Sequence, residues 1–147
     1  MTVTVAANDY FSKGSGTVTL CGSTKFFEQC MEANRILTFQ HWIVLMCGSW
    51  GHSYHKDATP LARDYSLIKQ LHFHKILESD AIVVVSDESE YIGESTREEI
   101  AFSQHRNKAI FYYDGNDFSG SAEIHSIPDK LADNSLISNW RGKYTQN

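Results

Sequence analysis

The segment Tyr91-Ile92-Gly93-Glu94-Ser95-Thr96-Arg97-Glu98-Glu99-Ile100 gathers several residues able to do chemistry. Gly93 permits a turn, Ser95 and Thr96 are candidate helix caps, and Arg97 can clamp an anion. Glu98 and Glu99 fall in the first turn of the expected helix. Carboxylates suit the macrodipole there, so both also read as solvated surface residues. Helical spacing separates the two. Thr96, Glu99, Ile100 and Ser103 share one stripe, whereas Glu98 shares its side with Phe102. If the stripe containing Ile100 faces a sheet, Glu99 points inward and becomes the candidate acid, base or nucleophile.

A second candidate is the loop Cys21-Gly22-Ser23-Thr24-Lys25. Its glycine allows close backbone approach, its hydroxyls can hydrogen-bond, and the next helix would aim its N-terminus at an anion. It also reads as an ordinary strand-to-helix turn. It matches neither a Walker A motif nor GxGxxG, so conventional ATP or NAD binding is not indicated. Trp50, in the stretch 49–55 with Gly51, His52, Tyr54 and His55, is a candidate for stacking on a planar base, as is Tyr91. Seven histidines are present, but no HExxH and no cysteine pair, so spacing indicates no metal.

Positioning these residues requires an alternation of strands and helices. Residues 17–21 are a β-rich run, and 42–46 and 81–85 are apolar runs suited to strands buried on both faces. Residues 109–113 form another strand. Helical periodicity covers about 24–39, 61–79 and 94–106, with a last helix from about 127 to 140, entered at Pro128. The pattern predicts an α/β, three-layer flavodoxin- or Rossmann-like sandwich with a mostly parallel five-stranded sheet. Ligands of such sheets lie beyond the carboxyl ends of the strands. The loops to watch are therefore 21–25, 47–60, 86–97 and 114–127. Residues 1–16 read as an N-terminal extension, an edge strand followed by a flexible joint at 13–16, and 141–147 as a tail.

The 147 residues suit one domain. A net charge of −5 disfavours a sequence-independent nucleic-acid binder, which needs a basic surface. No run approaches the roughly 18–20 apolar residues of a membrane span, and the N-terminus does not read as a signal peptide. Three cysteines without CxxC spacing suit reduced thiols and a cytoplasmic location.

Three motifs in order resemble the nucleoside 2-deoxyribosyltransferase-like superfamily over residues 17–113. They are Thr19-Leu20-Cys21-Gly22-Ser23-Thr24-Lys25-Phe26; Leu71-His72-Phe73-His74-Lys75-Ile76 running on to Asp80 and the 83–85 strand; and Tyr91 to Arg97 with Glu99-Ile100. The resemblance implies a flavodoxin-like five-stranded parallel sheet and cleavage of the N-glycosidic bond of a nucleoside or nucleotide. It places the nucleophile on Glu99, which would attack C1′ and form a glycosyl-enzyme ester resolved by water or a second base. It implies a substrate and phosphate pocket built from Cys21, Gly22, Ser23, Gly93, Ser95, Thr96 and Arg97. It also implies no cofactor, and a homodimer or higher homo-oligomer.

The sequence departs from the family pattern twice. Family members carry an aspartate on the middle helix, where counting back from Asp80 gives His72, a residue able to act as general acid. The acidic run Asp87-Glu88-Ser89-Glu90 precedes the expected phosphate loop and opposes an anion if it faces the pocket. The leading expectation is a hydrolase acting on a (deoxy)nucleoside 5′-monophosphate. Its rivals are a deoxyribosyltransferase exchanging bases and a non-catalytic nucleotide sensor.

Overall fold

The computed structural model describes residues 2–48, 50 and 62–124. The elements, in chain order, are β1 (Val3–Ala6), α1 (Ala7–Ser12), β2 (Gly16–Cys21), a 3-10 turn (Thr24–Phe26), α2 (Phe27–Phe39), β3 (Trp42–Leu45), α3 (Ala62–Leu77), β4 (Ala81–Val85), α4 (Glu94–His105), β5 (Ala109–Tyr113), β6 (Phe118–Ser119) and β7 (Ser121–Ile124). The expected helix at 127–140, the tail at 141–147, and Gly51, His52, Tyr54 and His55 lie outside the described residues.

The main sheet has five strands in the order β3-β2-β4-β5-β6. β3, β2, β4 and β5 are parallel, and β6 joins β5 antiparallel. The sheet is thus α/β and mostly parallel, as the alternation of elements requires. The fifth strand differs from an all-parallel sheet for a local reason. Only residues 114–117 separate β5 from β6, too few for the crossover that a parallel neighbour needs. Asp114 caps this turn, accepting from the backbone N–H groups of Asn116 and Asp117.

Strand alternation divides the core into two layers. On one face Val18, Leu20, Val83, Val85, Phe111 and Tyr113 pack against α1 and α2. On the other, Cys21, Ile82, Val84 and Ile110 meet Ile76 and Phe73 of α3 and Ile100 and Phe102 of α4. β4 is buried along its whole length, which explains its continuous run of aliphatic residues.

The N-terminal segment corrects its reading as an extension with a flexible joint. β1 is a strand as expected, but it pairs antiparallel with β7 in a separate two-stranded sheet. α1 delivers Tyr10 and Phe11 to the core, where Tyr10 stacks on Trp42 at 5.3 Å and Phe11 meets Phe111 at 4.9 Å. The Trp42 indole N–H donates to the Phe11 carbonyl at 2.9 Å. Gly14 is buried and has φ +47°, and a Cβ there would stand 2.2 Å from the Gln40 carbonyl oxygen. The glycine serves close packing rather than flexibility.

The aromatic cluster sets an expected difference between two substitutions. Phe11 is 1% exposed, whereas Phe39 is 77% exposed. Phe11→Ala should cost about 3–5 kcal/mol and lower Tm by roughly 10 °C, with Phe39→Ala nearly silent. Thermal unfolding of both variants followed by circular dichroism checks this. Equal, small effects would show that the N-terminal helix is peripheral to the fold.

Candidate active site

A polar pin on β2 fixes the rotation and height of α3. Thr19 faces α3, and its Oγ1 donates to the Lys75 carbonyl at 3.1 Å and lies 2.5 Å from Ser79 Oγ. The Thr17 N–H donates to Asp80 Oδ2 at 2.9 Å, tying the turn before β4 to the same strand. α3 runs antiparallel to β2, as a helix does between parallel strands. With Lys75 held at Thr19, one helical turn earlier brings His72 to the level of Cys21. At the far side, Lys75 Nζ donates to the Met46 carbonyl at 2.7 Å, joining α3 to the end of β3.

α4 supplies the carboxyl group. Its stripe of Thr96, Glu99, Ile100 and Ser103 is the inward side. Thr96 is 3% and Ser103 0% exposed, and Ile100 packs into the α3–α4 layer. Ser103 Oγ donates back to the Glu99 carbonyl at 2.7 Å. Glu98, one residue earlier, faces outward and forms an ion pair with Lys69 of α3.

These elements enclose a cavity of about 430 Å³ at the carboxyl ends of β2, β3 and β4. Gly22, Ser23, Gly93, Ser95, Thr96 and Glu99 line it, together with His72 and Trp50. Gly22 is needed where the chain leaves β2, because a Cβ would stand 2.6 Å from the Val85 carbonyl oxygen. Ser23 caps the 3-10 turn, accepting from the Lys25 N–H at 3.4 Å. At the opposite wall, the first turn of α4 presents backbone N–H groups of residues 94–96, which have no intrahelical acceptor.

Three sequence expectations need correction. Ser95 and Thr96 do not cap α4. The helix begins at Glu94 with Gly93 as N-cap and no side-chain cap, so both residues lie inside the first turn. Gly93 has φ −78°, a value open to any residue. Arg97 is exposed and is not a cavity-lining residue. At about 100° per residue, turning Thr96 and Glu99 inward carries Arg97 outward. Among the described residues, Lys69 is the cation lining the cavity, and Glu98 engages it.

The remaining candidates divide. Trp50 is buried, packs edge-on against Phe27 at 5.0 Å, and still borders the cavity. Tyr91 does not reach it. The Tyr91 ring carries Lys25 Nζ at 3.5 Å from its centroid. Cys21 lies beneath the cavity rather than on its wall, and its thiol donates a hydrogen bond to Glu99. Sequence reasoning missed Tyr65, Ile68 and Lys69, which line the cavity beside His72. Their spacing with His72 (i, i+3, i+4, i+7) was the available signal. The apolar pattern of α3 masked it, because Leu67 and Leu71 point outward at 55% and 60% exposure.

The centre is a close pair of groups that resist charge. His72 Nε2 lies 3.6 Å from Glu99 Oε1, and the two side chains are 9% and 15% exposed. Glu99 Oε2 and His72 Nδ1 are buried without a hydrogen-bond partner. Burial pushes Glu99 up from 4.5 to about 7, against the opposing pull of the Cys21 hydrogen bond and Lys69. Burial also pushes His72 down from 6.5 to about 4, assisted by the charge of Lys75. Burial, reinforced by Glu99, holds the Cys21 thiol well above its ordinary value. Between about pH 4 and 7 the pair therefore holds a single proton, resident on the carboxyl group.

No family model matches the chain, and no curated protein matches it in sequence. Among the described residues, no helix is long and apolar enough to cross a membrane.

The pair makes opposed contributions to stability. Folded Glu99 binds its proton more tightly than the unfolded chain does, so its penalty is absent below about pH 4.5 and grows until about pH 7. Folded His72 resists protonation, so its penalty is absent above about pH 6.5 and grows as pH falls towards 4. The two slopes largely cancel between them. Glu99→Gln removes one. Its Tm relative to the parent should rise from pH 4.5 to 7 and then level off. The plateau corresponds to roughly 3 kcal/mol. A Tm difference that does not change with pH would show that Glu99 is ordinarily solvated.

Proposed function

We propose that this protein is a hydrolase cleaving the N-glycosidic bond of a nucleoside 5′-monophosphate, with Glu99 as nucleophile. The observation that carries the reading is the Glu99 carboxyl group. It is largely buried, faces a cavity of about 430 Å³ and lies beside His72. A carboxyl group held there at a cost in folding stability is characteristic of a reacting group. The resemblance of three ordered motifs to the deoxyribosyltransferase-like superfamily supplies the bond and the substrate class.

The single proton of the pair gives the mechanism. Transfer from Glu99 to His72 creates a carboxylate and an imidazolium in one step. The uphill part, about 4 kcal/mol for groups titrating near 7 and near 4, is offset by the attraction between the two charges formed. The carboxylate attacks C1′ as the bond to the base breaks, and its charge stabilises the oxocarbenium-like transition state. The imidazolium protonates the leaving base. Water then cleaves the glycosyl ester, with neutral His72 as its general base. The phosphate is met by the N–H groups of residues 94–96 and the hydroxyls of Ser23, Ser95 and Thr96, and Trp50 or Tyr65 borders the base.

One observation favours a second reading, base exchange between nucleosides without a phosphate. Arg97 lies outside the cavity lining, and Lys69 is engaged by Glu98.

Chromatographic assay of base release from nucleosides and their 5′-monophosphates tests both. Hydrolysis of a monophosphate is expected, with Glu99→Gln lowering the rate by at least about 10³-fold, as for loss of a nucleophile. A new nucleoside formed on adding a second free base would select exchange instead. Full activity of Glu99→Gln would overturn the assignment of the nucleophile.

The pH profile tests the acid. The singly protonated pair is the active form, so kcat/KM should be bell-shaped, with limbs near pH 4 and 7. His72→Asn should lower the rate about 10²–10⁴-fold and replace the fall near pH 7 with a rise as Glu99 ionises. An unchanged bell in that variant would remove His72 from the mechanism.

A further inference from the structure

Cys21 is unused by this chemistry except as a hydrogen-bond donor, yet it completes a second arrangement. Cys21 Sγ, one ring nitrogen of His72 and one carboxylate oxygen of Glu99 all lie within 4.8 Å of one another. They come from β2, α3 and α4, so no sequence spacing links them. We propose that these three side chains form a binding site for a thiophilic divalent cation of the zinc class, whose occupancy blocks Glu99. The inhibitory part rests on the role of Glu99 proposed above; the binding does not.

Geometry and donor chemistry both support the site. Zinc holds sulfur, nitrogen and oxygen donors at roughly 2.0–2.3 Å in a tetrahedron, so donors around one ion lie roughly 3.3–3.8 Å from each other. The set needs a contraction of at most about 1.5 Å between any two donors. One thiol, one imidazole and one carboxylate leave a fourth position, which the cavity supplies. The orphaned atoms are a second and independent sign. His72 is 8% exposed, and its Nδ1, like Glu99 Oε2, is buried without a partner. A bound cation would satisfy donors that now have nothing to satisfy them.

The chemistry selects the ion. Magnesium and calcium prefer sets of oxygen ligands and gain little from a thiol. A thiolate with an imidazole favours zinc, cobalt or copper. All three cysteines of the chain lie at or beside the cavity, since Cys30 and Cys47 line it. Binding converts the thiol to a ligating thiolate and the carboxyl group to a carboxylate. Both protons pass to solvent and no electrons move. With the ion on Nδ1, the other ring nitrogen of His72, Nε2, faces only Glu99 Oε1 at 3.6 Å, a carboxylate that ligates the same ion, so no separate carboxylate or carbonyl orients the ring as it does for the usual metal-bound imidazole. The site therefore suits a reversible inhibitor rather than a resident cofactor.

The test is a titration of the full-length, chelator-treated protein with cobalt(II), with zinc(II) as competitor. Thiolate-to-cobalt charge-transfer absorption in the near ultraviolet should appear at one equivalent and be bleached by zinc. Cys21→Ser should abolish the band, His72→Ala should weaken binding at least about 10-fold, and Cys47→Ser should keep it. Circular dichroism confirms that each variant is folded, and His72→Ala carries the test if Cys21→Ser is not. Absence of the band at large cobalt excess, a band that survives in folded Cys21→Ser, or cobalt affinity unchanged in His72→Ala, overturns the site. The absorption reads the metal whether or not base release occurs, so the site and the glycosidase reading fail separately. Where base release is found, zinc should suppress it in the parent and not in Cys21→Ser.

Discussion

The burial of one carboxyl group organises this site. Glu99 stands where three strands end, with a thiol beneath it, an imidazole beside it and little water around it. A carboxylate in such a place lacks solvation, and the two neighbours replace only part of it. The group therefore keeps its proton to about neutrality. The same burial denies His72 a charge, so each partner is held away from its ordinary state by one physical cause. A fold that tolerates this must anchor the surrounding elements elsewhere, and it does so on β2.

β2 is the strand on which the site is assembled. It lies between β3 and β4 in the sheet, and its alternation sends Val18 and Leu20 to one layer and Thr19 and Cys21 to the other. Thr19 fixes the C-terminal part of α3 through the Lys75 carbonyl and Ser79. Cys21 meets the carboxyl group arriving from α4. Gly22 then lets the chain turn across the end of β4. Positioning and chemistry are therefore set within five consecutive residues. The aromatic layer on the opposite face, supplied by α1 and closed by Trp42 and Phe111, packs against the sheet behind them.

The stability cost at Glu99 and His72 and the single proton that the two share are two aspects of one arrangement. If Glu99 were solvated it would be ionised at neutral pH, and the two groups would no longer hold one proton between them. The more exposed Lys69–Glu98 ion pair acts on Glu99 in opposite senses, Lys69 lowering it and Glu98 raising it, and burial outweighs both. A thiol, an imidazole and a carboxyl group kept short of partners also form a set of donors attractive to a soft cation.

The α/β alternation, the buried strands and the inward stripe of α4, with Glu99 in it and Glu98 outside it, were legible in the sequence. These depend on local periodicity, which a single sequence displays. It did not determine that Arg97 turns away, that Gly93 rather than Ser95 or Thr96 begins α4, or that Tyr65 and Lys69 face the cavity. Those outcomes follow from the rotation of each helix about its axis, which packing against the sheet decides. Residues 1–16 read as an extension in the sequence because their role is non-local. Tyr10 and Phe11 gain their burial from Trp42 and Phe111, distant in sequence. The meeting of Cys21, His72 and Glu99 was likewise left to tertiary structure. Three residues on a strand and two helices, 51 and 27 positions apart, share a site only once the hydrogen bonds of Thr19 and the packing of Ile100 have set the height and rotation of α3 and α4.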